Sequence, residues 1–519
     1  FFFIYIFRVF ALKKTVFIKN AVILTISSLV LRFAGIIFKV YVTRLIGSEG
    51  VGLYQLIFSF YMLASTFATA GISTAVTRPV TEELALGSKK GTVQIFRRSV
   101  ELTLIVATVS LSLVFFGAKF ISLKIIGDIR ALPALKILAF SLPFMGVSSC
   151  IRGYFIALRR VTPNALTQIF EQAVRITAVL LLFKKFIGKS LATACGAVLL
   201  GDTIAEFLSC LMLYLCYLSS KKRLNNLNGR KNPPFGVTKE LVRIALPITS
   251  GRYLNTALRT AENVLVPKNL SRYPYSGANA LSQFGMIKGM ALPILFFPST
   301  LLNAVSTLLI PEMSEAVAKN RPATVRSLTR QVLRLTAFIS FVFGAIFLFA
   351  GEKIGLLIYN SKDVGTLLVA LSPIVPFMYL DSVSDGILKG LDQQTFTFRT
   401  AISDSVIRII LILIALPLTG LKGFIAIMYF SNFLTCFLNV KRLLSVSRAS
   451  LKIFGEILLP LMLAVAICFS VFKGLSFFPI LSNLWFVVIF SSLSAGIYIT
   501  LLFMLKIVKK TEILQIFKR

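Results

Sequence analysis

Residues 142–176, LPFMGVSSCIRGYFIALRRVTPNALTQIFEQAVRI, return 233 positions later, without a gap, as VPFMYLDSVSDGILKGLDQQTFTFRTAISDSVIRI at 375–409. Eleven of the 35 aligned positions are identical, among them Pro143/Pro376, Phe144/Phe377, Met145/Met378, Gly153/Gly386 and Arg175/Arg408, and Glu171/Asp404 keeps its charge. Apolar composition alone matches Leu, Ile and Val at many places. It does not align a Pro-Phe-Met, a glycine and an acid-x-x-x-Arg in one register. Arg78-Pro79 through Glu83 likewise resembles Ile310-Pro311 through Glu315, and Arg98/Arg330 with Val100/Val332 keep nearly the same offset. The chain reads as a duplicated unit of about 230 residues.

With 56% apolar residues, 15% charged residues and a mean hydropathy of +0.85, a chain of 519 residues is too apolar for a soluble domain. Continuous apolar runs long enough to cross the ~30 Å hydrocarbon layer recur from end to end, and they lack the alternation of a barrel strand. The expected fold class is an all-α polytopic membrane protein. The formal charge of +36 would point to nucleic acid in a soluble protein. Here Lys and Arg gather in short loops, where the positive-inside bias puts them, so no nucleic-acid partner is expected. Cys150, Cys195, Cys210, Cys216, Cys436 and Cys468 all fall in apolar segments without CxxC spacing, which reads as small core residues and not as a metal site or a disulfide frame. The chain has no histidine and no GxxxxGK[ST] loop, so a His relay and a self-powered ATPase are excluded and no cofactor is expected.

Fourteen helices are expected, near 20–46, 51–77, 98–126, 132–158, 163–187, 190–219, 240–266, 278–310, 330–350, 354–391 with a re-entrant or broken start, 396–419, 421–444, 451–473 and 480–507. Pro143, Pro247, Pro293, Pro298 and Pro376 mark expected kinks. The Phe-rich 1–19 reads as an interfacial lead-in, 20–219 as an N-lobe, and 240–445 as a C-lobe. The polar, Pro-Pro-containing 220–239 reads as a cytoplasmic linker, and 446–519 as two further helices with a basic tail. Placing both termini inside puts about 34 Lys and Arg on the inner side and about 13 on the outer. Six helices per copy give the lobes the same orientation, so they are parallel repeats around a central cavity, the expected substrate path.

Thr25, Ser28, Arg32, Gly35 and Lys39 share one face of the first helix, and Arg32 lies about 18 Å past Asn20 at 1.5 Å per residue. Arg252, Asn255, Arg259 and Glu262 share a face of the seventh. A midplane guanidinium costs at least ~2.5–3.5 kcal/mol unless it meets water or a partner, so these stripes read either as a wet cationic cavity or as Arg–acid bridges, with Glu262 the partner for Arg259. Glu171/Arg175 and Asp404/Arg408 are i,i+4 pairs, candidates for packing or gating. Arg152 and Asp385 occupy equivalent positions with opposite sign and are further gating candidates. Glu101, Asp202, Glu206, Lys288 and Asp381 are also at membrane depth. No nucleophile, general base or metal set assembles from these residues, and no enzyme activity is expected.

NAVILTISSLVLRFAGIIFKVYVTRLIGSEGVGLYQL (20–56), RGYFIALRRVTPNALTQIFEQAVRI (152–176) and RTAENVLVPKNL (259–270) resemble the stage V sporulation protein B group of polysaccharide-type exporters. That group shares a superfamily with multidrug and toxin extrusion exporters and lipid II flippases. The resemblance spans roughly 20–507. It implies two six-helix lobes enclosing a cavity that opens alternately to each side, with two extra carboxy-terminal helices. It also implies movement of a lipid-linked sugar across the cytoplasmic membrane, for spore cortex peptidoglycan in the sporulation group, and carries the cavity arginines over to Arg32 and Arg252.

Two functions stay open on the residues. A flippase for an anionic polyprenyl-diphosphate sugar fits Arg32, Arg252, Arg259 and Lys39, because guanidinium pairs phosphate bidentately. Its partners are that lipid-linked sugar and membrane lipids, with the coupling ion unknown. An ion-coupled exporter of organic cations needs an acidic or aromatic cavity, for which Asp202, Glu206 and Asp381 are the candidates.

Overall fold

Phe140 and the Ser372–Ile374 turn, 233 residues apart at Phe140 and Pro373, interrupt the same helix in each copy of the duplicated stretch in the computed structural model. The structure describes residues 16–69, 71–186, 191–223, 237–274, 280–477, 482–505 and 507. Most of the 1–19 lead-in and of the 220–239 linker therefore lies outside the described residues.

By contacts the chain divides into two units, Thr15–Lys268 and Asn269 onward, the latter grouped with 1–14. The first holds α1 (Val16–Thr69), α2 (Ile72–Ala85), α3 (Lys89–Phe120), α4 (Ala131–Ala139), α5 (Ser141–Ala157), α6 (Thr162–Phe186), α7 (Leu191–Arg223) and α8 (Val237–Leu270) as far as Lys268. The second holds α9 (Ala280–Phe284), α10 (Leu292–Phe296), α11 (Ser299–Ala318), α12 (Pro322–Tyr359), α13 (Lys362–Leu371), α14 (Val375–Gly390), α15 (Gln394–Ser447), α16 (Leu459–Ser476) and α17 (Asn483–Met504). Ten of the described helical stretches are long and apolar enough to cross a membrane, and the chain is a multi-pass membrane protein. Two of these carry an internal break, at Gly47 (φ 70°, ψ 178°) and Gly420 (φ 61°, ψ −141°). Divided there, and joined by α8 and the 280–318 stretch, they are consistent with the fourteen expected crossings.

The backbone repeats as well as the sequence. Left-handed turns close helices at Gly87, Gly127 and Arg159 in the first copy and at Asn320, Asn360 and Asp392 in the second, each pair 233 residues apart. The Phe144–Phe207 edge-to-face pair, 5.1 Å between centroids, recurs as Phe377–Phe433 at 5.5 Å.

Several boundaries differ from the sequence reading. The ninth helix runs through Pro322–Tyr359, well past 330–350, because left-handed Asn360 ends it and the Ser361 N-cap starts α13. Of the tenth, expected over 354–391 with a broken start, residues 354–359 belong to α12, α13 starts at Lys362, and the Ser372–Ile374 turn separates it from α14. The second helix stops at Thr69, before left-handed Gly71, and the eighth is interrupted at Phe297-Pro298. Pro143, Pro293, Pro298 and Pro376 sit at or beside interruptions, whereas α8 continues through Pro247.

In the first unit α2, α3, α5 and α7 pack around Phe96, Tyr154, Phe155 and Tyr217, with Phe96 stacked on Tyr217 at 4.2 Å. Lipid is as apolar as these rings, so the driving force is close packing, not expulsion of water. Gly153 of the duplicated stretch permits it: a Cβ there would stand 2.6 Å from the Ser73 carbonyl oxygen of α2. In the second unit Tyr379 donates to the Leu295 carbonyl (2.6 Å). There the Glu456 carboxylate at the start of the thirteenth helix pairs with Arg330 and Arg334 of α12.

Candidate functional site

Arg32 and Lys39 lie on the part of α1 before Gly47, and Arg252, Asn255, Arg259 and Glu262 on α8. α8 is fixed to the later part of α1, which explains why it groups with the first unit although the duplication starts a new copy there. Thr260 Oγ1 donates to the Ser59 carbonyl (3.0 Å), Asn263 Nδ2 donates to Ser59 Oγ (2.9 Å), and Tyr253 meets Phe67 edge to face at 5.9 Å. Arg32, Arg252 and Arg259 are exposed, Lys39 and Asn255 half-buried, and Glu262 buried. Among the described residues no ion pair reaches Arg32, Lys39, Arg252 or Arg259; each acid in a bridge is taken by another cation. The bridge alternative for Arg259 and Glu262 thus finds no support in this structure.

The gating candidates are paired inside their own units. The i,i+4 pairs form as the spacing predicts, Arg175–Glu171 at 3.1 Å and Arg408–Asp404 at 3.1 Å. Ser431 also donates to Asp404. Arg152 pairs with Glu171 (3.0 Å) and Asp385 with Lys389 (2.5 Å), so the two residues of opposite sign at equivalent positions each have a local partner. Asn439 donates to Asp381 (2.8 Å).

Around Arg175 the first unit holds a larger assembly that the repeat alone does not announce. Arg175 also reaches Asp202 of α7 at 2.8 Å, and Ser209 donates to Glu171 at 3.3 Å. α5, α6 and α7 are thereby joined by polar contacts where hydrocarbon surrounds the protein, and a single unpaired charge there is costly. One sequence signal marks Asp202 and Glu206. GDTIAEFLSC (201–210) aligns with IMYFSNFLTC (427–436) at an offset of 226, seven less than the main repeat, and places Asp202 opposite Met428 and Glu206 opposite Asn432. The two acids belong to one copy only.

The family model described as polysaccharide biosynthesis protein matches residues 17–317, and a MatE model matches 269–414. Stage V sporulation protein B of Bacillus subtilis (strain 168) is 26% identical over 519 residues, covering 97% of this chain and 98% of that protein. Lipid II flippase MurJ of the same organism is 22% identical, covering 82% of each. A solved structure of a lipid II flippase MurJ in an inward closed conformation superposes with a TM-score of 0.71 at 16% identity, covering 93% of this chain and 99% of that one, which shows a shared fold. These relatives are named as a flippase and a sporulation protein, not as enzymes.

Proposed function

We propose, from the premise that this chain belongs to the polysaccharide biosynthesis protein family, that it is a flippase: it moves a lipid-linked oligosaccharide or peptidoglycan precursor, carried on a polyprenyl diphosphate, across the cytoplasmic membrane by alternating access. The names of the relatives support the substrate class. The observation that carries the reading is the set of unbridged, exposed guanidiniums Arg32, Arg252 and Arg259 on two helices of one unit. An exposed guanidinium at midplane is stable only against water or an anion, and its planar fork fits two phosphate oxygens. Lys39, Asn255 and Glu262 complete the stripe, and the duplicated acid–Arg pairs serve as packing or gating elements. The sequence-based lobes, 20–219 and 240–445 with a cytoplasmic 220–239 linker, cytoplasmic termini and two added helices, are the proposed frame. An inside-negative potential favours outward movement of a doubly charged headgroup by up to about 4.6 kcal/mol at 100 mV.

The second reading, an ion-coupled exporter of organic cations, draws on the MatE match over 269–414. Against it, Asp202 pairs with Arg175 and Asp381 accepts from Asn439, so of its three candidate acids Glu206 is the one without an ion pair or hydrogen bond among the described residues. Purified protein should bind polyprenyl-diphosphate sugars, with affinity weakened by salt and about tenfold or more by Arg252→Ala or Arg32→Ala, equivalent to ~1.4 kcal/mol. Both variants should keep the wild-type thermal stability. Saturable ethidium transport in liposomes, without lipid-diphosphate binding, would reverse the two readings.

A further inference from the structure

In the α5–α6–α7 assembly three carboxylates meet two guanidiniums. Arg152 and Arg175 spend their ion pairs on Glu171 and Asp202, at 3.0, 3.1 and 2.8 Å. Glu206, one turn beyond Asp202 on the same face of α7, is 8% exposed and has neither an ion pair nor a hydrogen bond among the described residues. The charged and titratable groups that face it are Glu171 and Arg175 from α6, Arg152 from α5, Asp202 and Cys210 from its own helix and Tyr61 from α1. Arg152 Nε is itself buried without an acceptor.

With all five groups ionised the assembly carries one net negative charge at membrane depth, which costs several kcal/mol. One proton makes it neutral. Glu171 and Asp202 each pair with a guanidinium and Glu206 does not, so Glu206 is the place for that proton. We propose that Glu206 is an exchangeable proton site. Arg152 and Arg175 keep 28% and 26% of their side-chain surface open, so the assembly is reached from outside the packing. When the proton leaves, the Glu206 carboxylate competes with Glu171 for Arg152, whose Nε is unspent, and so shifts the balance between α5, α6 and α7. The site does not depend on which molecule the protein moves.

Infrared difference spectra of the full chain in nanodiscs, recorded across pH steps in sodium or in potassium buffer, test this directly. A protonated-carboxyl band that titrates equally in both salts and is lost in Glu206→Gln is expected. Should Glu206→Gln not insert, Glu206→Asp must shift that band. No titrating carboxyl, a band untouched by either variant, or a band erased at constant pH by sodium alone overturns the proposal, the last by making the group a metal-cation ligand.

Discussion

Arg175 touches Glu171 of its own helix, which Arg152 also pairs, and Asp202 of the next, which has no other ion pair among the described residues. Arg175→Ala should therefore destabilise the detergent-solubilised protein by about 3–5 kcal/mol, whereas Arg32→Ala, which breaks no bridge, should leave its melting temperature unchanged. Equal melting of the two would show that Arg175 is dispensable to packing. Outside the membrane-spanning stretches, Arg130 bonds both Asp128 and Glu49 at 2.7 Å. Burial alone would raise the Asp128 carboxyl, but the side-chain and backbone hydrogen bonds from Arg130 outweigh it and hold it below its ordinary value. A depressed carboxyl contributes stability above its unfolded pKa, near 4, and loses it as pH falls through the folded value. Melting should be insensitive to Asp128→Asn below that range and lowered at neutral pH, by no more than about 1 kcal/mol for so open a pair. A deficit that persists at low pH would assign the effect to shape instead of charge. Glu171–Arg175 was legible in the sequence because i,i+4 spacing is local. Arg175–Asp202 was not, because α7 follows a different offset from the stretch that carries Arg175, and pairing across helices depends on rotation that spacing does not encode.

At the scale of the element, the helices were legible from hydrophobic run length and most breaks from proline. The breaks that proline does not mark follow backbone geometry. At Gly420, φ is 61° and a Cβ would lie 2.5 Å from Tyr273 Cδ1, so Gly420→Ala meets both strain and a clash. At Gly47, φ is 70° with open space around the Cβ, leaving strain alone. Gly420→Ala should cost more than the ~1–3 kcal/mol typical of such backbone strain and Gly47→Ala no more than it, as read by thermal denaturation. The reverse order would mean that Tyr273 moves aside freely. The ninth helix runs past 350 through Gly351 and Gly355, both helical, which let α13 lie close: a Cβ on Gly355 would stand 2.4 Å from Gly365.

For the whole molecule, the duplication was the part most open to reading, and its backbone turns keep the 233-residue period even where glycine in one copy is asparagine in the other, or where the pair is Arg159 and Asp392. The proposed orientation is checked by labelling a cysteine placed at Asn228 in a cysteine-free background. It should react from the inner face only, and reaction from outside intact cells would reverse the topology. What the period hides is that only the first copy carries Asp202 and Glu206. That difference bears on biogenesis. α6 carries Glu171 and Arg175, and α7 carries Asp202 and Glu206; α7 alone would enter lipid with two acids, each costing roughly 2.5–3.5 kcal/mol at the centre. Arg175, the partner of Asp202, is on the helix synthesised just before it, across the four residues between Phe186 and Leu191. An α6 that stays beside the insertion machinery until α7 arrives lets Arg175 meet Asp202 as the two enter the bilayer together as a hairpin.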